Sequence, residues 1–252
     1  LGPRGARQMV SLAGVLWLNM ISNSHTQVCY LCGQRLGDTR DHVFPRLLFP
    51  KGKAPTNLIT LPACAQCNNK LSKDEEVFQQ LILSGRALDT DVAREVWETK
   101  VRPNLKDKNR GLRQRVLRQT EIRKSVTFWG QQLHNWPVLN VDSASITRVL
   151  SKTVRGLYYL ECRERLPDDV KIEVWFSQDQ YERLIVPQLM PYARKTEVAK
   201  DILTYWRVIA ADNPAASMTW FVFYHWNVFC VATVPPEVRS VSNAELTSSQ
   251  SS

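Results

Sequence analysis

Two Cys-x-x-Cys pairs, Cys29/Cys32 and Cys64/Cys67, constrain this chain more than any other feature in it. Four thiolates in two such pairs are the ligand set of a tetrahedral structural zinc site, each pair supplying one tight knuckle. The 31 residues between the pairs exceed the shortest zinc-ribbon spacings, so the connecting loop has content of its own. That loop carries Asp41-His42 and Asn57, and Asn68 follows the second pair directly.

The chain has 252 residues and 44% hydrophobic content, enough for two modest domains of ordinary globular composition. A four-cysteine unit is too small to use that apolar material, so a second domain is expected. The net charge is +9, and it is concentrated: Lys100 to Lys124 holds ten Lys and Arg against only Asp107 and Glu121. Such a block is the electrostatic footprint of phosphate-backbone contact, and a solvated linker is its alternative. The six cysteines, four of them paired in metal-ligand spacing, point to metal binding in a reducing compartment, hence a cytoplasmic location, and away from a disulfide framework. Cys162 and Cys230 read as buried free thiols.

Asp41-His42, Asn57 and the Cys-x-x-Cys-Asn ending, in this order and spacing, resemble the HNH endonucleases of the ββα-metal type. The resemblance covers about a fifth of the chain. It implies a first strand at RDHVFP, a second at NLITLP and a helix from about Ala65 to Leu83, with zinc pinning the ends of an otherwise coreless unit. It also implies His42 as the general base that deprotonates water, Asp41 as a ligand of a divalent cation on the scissile phosphate, and Asn57 as the residue that holds the loop and orients the base. Asn68 stands where many members carry the second histidine. An amide oxygen with a carboxylate is a hard donor set, which favours Mg²⁺ or Mn²⁺. The four cysteines would hold a structural Zn²⁺ outside the chemistry. Lys70 and Lys73 are candidates for phosphate contact near the metal, although exposed helix lysines are the common case.

In chain order, residues 1–21, a leader or uncertain N-terminal segment, place two arginines before an apolar run from Met9 to Ile21 that is too short to span a membrane, and residues 1–19 read as a translated leader with Met20 as a plausible native start. Ser22-Asn23-Ser24 keeps a signal-peptide reading open. Residues 22–85 form the HNH-like module, with Phe78 and Leu81 as core. Residues 86–136 are read as a helical basic segment, beginning with a helix at about 91–99 and continuing with one whose polar faces carry Arg113, Arg115 and Arg118; Arg110 belongs to the same nucleic-acid-binding set.

From 137 to 236 the pattern becomes that of a mixed α+β domain. Ile146, Val149, Leu150, Val154 and Leu157 recur at helical spacing, and KIEVWF alternates as a strand. SQDQYERLIVPQLM reads as a helix, TYWRVIAA as a strand, and MTWFVFYHWNVFCVATV as a hairpin turning near Trp226-Asn227. The sheet is expected to be antiparallel. His225 reads as a core or edge histidine, His134 has no ligand-like spacing, and residues 237–252 form a polar, disordered tail.

Three functions fit this reading. The favoured one is a metal-dependent endonuclease acting on DNA, with no membrane association. The others are a zinc-stabilised nucleic-acid-binding module whose nuclease centre has lapsed, and a secreted nuclease toxin.

Overall fold

The computed structural model describes residues 27–104, 114, 120–126, 132–139, 143–176 and 189–236. The fold is α+β, with antiparallel sheets, helices and a compact cluster of four cysteines. Strand β1 (Thr39–His42) pairs antiparallel with β2 (Thr60–Ala63), in a register that places His42 opposite Thr60. Helix α1 (Ala65–Ile82) follows at once. Its first turn is capped from outside: Ala65 N donates to Asp38 Oδ1 at 3.0 Å, satisfying one of the donors that a helix start leaves unpaired.

Helix α2 (Asp91–Val96) begins at Thr90, whose side chain accepts from Ala93 N, and it runs into a π-turn over Trp97–Val101. The expectation of a helical segment through residue 136 needs correction. Strands β3 (Thr120–Val126) and β4 (Gln132–Leu139) form an antiparallel hairpin there. Thr120, Ile122 and Val126 are β-formers alternating through a run that its charge made look helical.

Helix α3 (Ser143–Cys162) matches the expected periodicity. It lies against a five-stranded antiparallel sheet made of β5 (Lys171–Phe176), β6 (Arg194–Ala199), β7 (Leu203–Ile209), β8 (Ser217–Phe223) and β9 (Asn227–Val234), in the order β5-β9-β8-β7-β6. The helix expected in SQDQYERLIVPQLM falls, over 177–188, outside the described residues. The β8–β9 turn comes slightly earlier than expected, at Tyr224, His225 and Trp226. Tyr224 and His225 take positive φ of 49° and 66° there. His225 is therefore an exposed turn residue facing Asp201 at 3.1 Å, and not a core histidine.

One apolar cluster runs through both halves of the described chain. It joins Val43, Phe44, Leu48, Phe49, Phe78 and Ile82 of the cysteine-bearing unit to Val149, Val154, Phe221, Phe223 and Phe229 of α3 and the sheet. Phe78 meets Phe223 edge-on with ring centroids 5.2 Å apart, and Phe229 at 5.8 Å. The hairpin–helix unit is thus not coreless, since it closes its apolar side against the sheet. Polar ties cross the same seam: Tyr224 Oη donates to Leu48 O, and Asn227 Nδ2 donates to Ile82 O at 2.8 Å, occupying an end carbonyl of α1. Arg207 of β7 pairs with Glu161 of α3 at 3.1 Å.

Candidate metal centre

The first knuckle is a backbone device. Cys29 N donates to Arg35 O at 2.7 Å and Gly33 N donates to Cys29 O at 2.8 Å, folding Cys29–Gly33 into a tight turn. Gly33 completes it at φ 64°, a conformation in which a side chain is strained. The second knuckle is the start of α1, with Cys64 just before the helix, Cys67 in its first turn, and Asn68 N donating to Cys64 O at 3.0 Å.

Together they bring all four Sγ atoms within 4.8 Å of one another, with Cys32 Sγ 4.0 Å from Cys64 Sγ. A tetrahedral Zn²⁺ with bonds of about 2.3 Å needs sulfurs about 3.8 Å apart, so the cluster fits this ion with small contraction. Among the described residues it is the one group of three or more metal-ligating side chains so gathered.

The surroundings favour thiolate. Backbone amides of Gln34 and Arg35 point at Cys32 and bring its thiol down to about 6, and the Cys67 amide lowers Cys64. Burial pushes Cys67 up instead, a resistance that a bound cation would overcome. The Arg165 guanidinium lies over the first knuckle, so that a Cβ on Gly33 would meet its Nε at 2.7 Å, and Asp168 holds it there through a second nitrogen at 2.7 Å. Its positive charge faces the thiolates of Cys29 and Cys32.

The residues expected to carry catalysis are arranged differently from that expectation. Asp41 and His42 point to opposite sides of β1, as neighbours on a strand do. Asp41 is only 4% exposed. Tyr30 Oη donates to its Oδ2 at 2.6 Å, and Lys152 Nζ of α3 sits 2.8 Å from its Oδ1. The same ammonium lies 2.5 Å from Glu75 Oε1, and burial raises Glu75 despite this partner.

Asn68 Nδ2 donates to Thr39 Oγ1 at 3.2 Å. Asn68 and Asp41 thus meet different groups, Thr39 in the one case and Tyr30 and Lys152 in the other. Both Asp41 oxygens are engaged by protein donors, so a divalent cation on this carboxylate would have to displace one of them. The place beside the carboxylate is taken by an ammonium.

The chain matches no protein-family model, no curated protein and no solved structure.

His42, at the end of β1, is half-buried. Burial first and then the nearby Arg46 charge lower its imidazole, outweighing Asp41, so that it is neutral at neutral pH. Asn57 is exposed in the turn closed by Leu58 N donating to Pro55 O at 3.1 Å, and its side chain has no hydrogen-bond partner among the described residues. Lys70 and Lys73 are exposed on α1. Arg110, Arg113, Arg115 and Arg118 lie outside the described residues.

The β1–β2 connection and the π-turn form a cavity of about 420 Å³ whose polar lining is Arg46, Lys51 and Lys100. Among the described residues no helix is long and apolar enough to cross a membrane.

Sequence reading missed Lys152. A signal was available, because Ser145, Val149, Lys152 and Gly156 fall at helical spacing on the buried side of α3, and a lysine in such a stripe needs a partner.

Proposed function

We propose that this chain is a zinc-stapled module that binds DNA through its backbone phosphates, on a hairpin–helix unit resembling that of HNH endonucleases. The observation that carries the reading is the buried Asp41–Lys152–Glu75 group. An ammonium between two carboxylates occupies the place beside Asp41 that a second cation would need, while the four cysteines offer a site for a scaffold metal. The excess of 33 Lys and Arg over 24 Asp and Glu supports phosphate as the partner.

A second reading, a metal-dependent HNH endonuclease, is favoured by His42. A half-buried imidazole held neutral can take a proton from water, and its Arg46 neighbour offers a charge for the phosphate. Incubating supercoiled plasmid with the full chain in Mg²⁺ or Mn²⁺, beside an EDTA control and His42→Ala, separates the two. Retarded plasmid with no nicking in either metal is the outcome expected of a binding module. Nicking that disappears with EDTA and falls roughly 10²–10⁴-fold in His42→Ala would establish the endonuclease instead.

A further inference from the structure

We propose that the cavity formed by the β1–β2 connection and the π-turn is a binding site for one phosphodiester of a nucleic-acid backbone, held by Arg46, Lys51 and Lys100. This deepens the DNA-binding reading and rests on it for the identity of the ligand.

The cavity, of about 420 Å³, is lined by three cations and by no acidic residue, with Leu47, Pro50 and Ala54 giving it apolar walls. Basic residues around it do find acidic partners. Lys53 pairs with Glu95 at 2.8 Å, and Arg102, two residues beyond Lys100, pairs with Glu98 at 2.5 Å. Arg46, Lys51 and Lys100 have no such partner among the described residues. Two of these like charges are nevertheless held close: burial and then the Arg46 charge lower Lys100, and Lys51 lines the same cavity. Cations held together with no counter-charge weaken the folded state unless an anion joins them.

The walls are fixed before any ligand arrives. Gln79 Nε2 donates to Leu47 O at 2.6 Å, Tyr224 Oη donates to Leu48 O, and Leu48 and Phe49 are fully buried. Lys53 N donates to Pro50 O at 3.1 Å, closing the turn that presents Lys51. Three cations lining one cavity, two from the anchored loop and Lys100 from the π-turn, suit the two non-bridging oxygens of a phosphodiester monoanion, and the apolar walls suit the adjoining sugar.

The test compares the wild-type chain with two triple variants of equal charge change: Arg46→Gln, Lys51→Gln, Lys100→Gln at the cavity, and Arg194→Gln, Lys195→Gln, Lys200→Gln on β6 and the turn that follows it. Inorganic phosphate is titrated against thermal unfolding, with chloride of equal ionic strength as reference, and a labelled DNA duplex is titrated at several salt concentrations. Phosphate is expected to raise the melting midpoint of the wild type and the β6 variant but not of the cavity variant. The slope of log affinity against log salt is expected to flatten by about 0.9 for the one lost phosphate, in the cavity variant alone. Without ligand the cavity variant should melt no lower than the wild type, because substitution removes repulsion.

Equal losses of DNA affinity in both triple variants, or full DNA binding by the cavity variant with no phosphate effect on the wild type, would overturn the site while leaving DNA binding in place. Phosphate stabilisation that needs the cavity residues, in a protein that binds no duplex, would keep an anion site, sink the DNA-binding reading and overturn the backbone phosphodiester as its ligand.

Discussion

Lys152 is the residue on which the polar contacts between α1, α3 and β1 converge. At 3% exposure its ammonium has Asp41 at 2.8 Å and Glu75 at 2.5 Å. Removing one member of a buried ionic group leaves the others uncompensated, which costs about 3–5 kcal/mol. Lys152→Met is accordingly expected to lower the free energy of unfolding by about that amount, read from denaturant midpoints. Adding Asp41→Asn and Glu75→Gln to it should recover part of the loss, because the stranded negative charge is then gone. A Lys152→Met protein as stable as the wild type would mean that the three groups do not interact in solution. The four cysteines were legible at this scale because their spacing is the ligand geometry. The fate of Asp41 was not, because its partner stands 111 positions away and a lysine in a helix ordinarily reads as solvent-facing.

At the scale of elements, α3 approaches the strand-end of β1 so closely that a side chain is excluded. A Cβ on Gly156 would stand 2.9 Å from Val43 Cγ2, while Thr153 Oγ1 donates to Val43 O at 3.1 Å one turn earlier. Alanine gains about 1 kcal/mol over glycine inside a helix, but forcing a methyl into a packed contact costs about 1–3 kcal/mol. Gly156→Ala should therefore be net destabilising, and combining it with Val43→Ala should remove the clash and expose the helix gain. If Gly156→Ala alone raises the melting midpoint, the two elements do not touch as closely as this. Helices α1 and α3 were legible because each carries an apolar stripe at helical period. Strand β6 was missed because Arg194, Lys195 and Glu197 give it no apolar alternation. Those charges are what an exposed edge strand needs. The β3–β4 hairpin was hidden by its position next to ten cationic residues, whose charge says nothing about backbone conformation.

Over the whole molecule, sequence order suggests a zinc unit followed by a separate α+β domain, whereas the cysteine-bearing unit, α3 and the five-stranded sheet share one main core. The apolar residues were identifiable one by one, but nothing in a linear pattern states that Phe78 will pack against Phe223 and Phe229. The shared core changes what zinc is for. In an isolated finger the binding free energy is the folding free energy, so loss of the metal is loss of structure. Here Phe78, Ile82 and Leu83 are fully buried in the core shared with the sheet, away from the cysteines. A zinc ion held by the four cysteines would instead close the stretch from Cys29 to the first turn of α1, where Gly33 and Arg165 complete the knuckle. Stripping the metal with a strong chelator, or replacing Cys64 by Ser, should lower the stability of the chain as one cooperative transition. Hydrogen exchange should speed up selectively in residues 27–37 and at the start of α1, while amides of β7, β8 and β9 stay protected until global unfolding. Equal loss of protection in the sheet would make zinc a determinant of the entire core. Unchanged exchange around Cys29 would instead mean that the knuckles stand without a metal, and that the cluster is no zinc site.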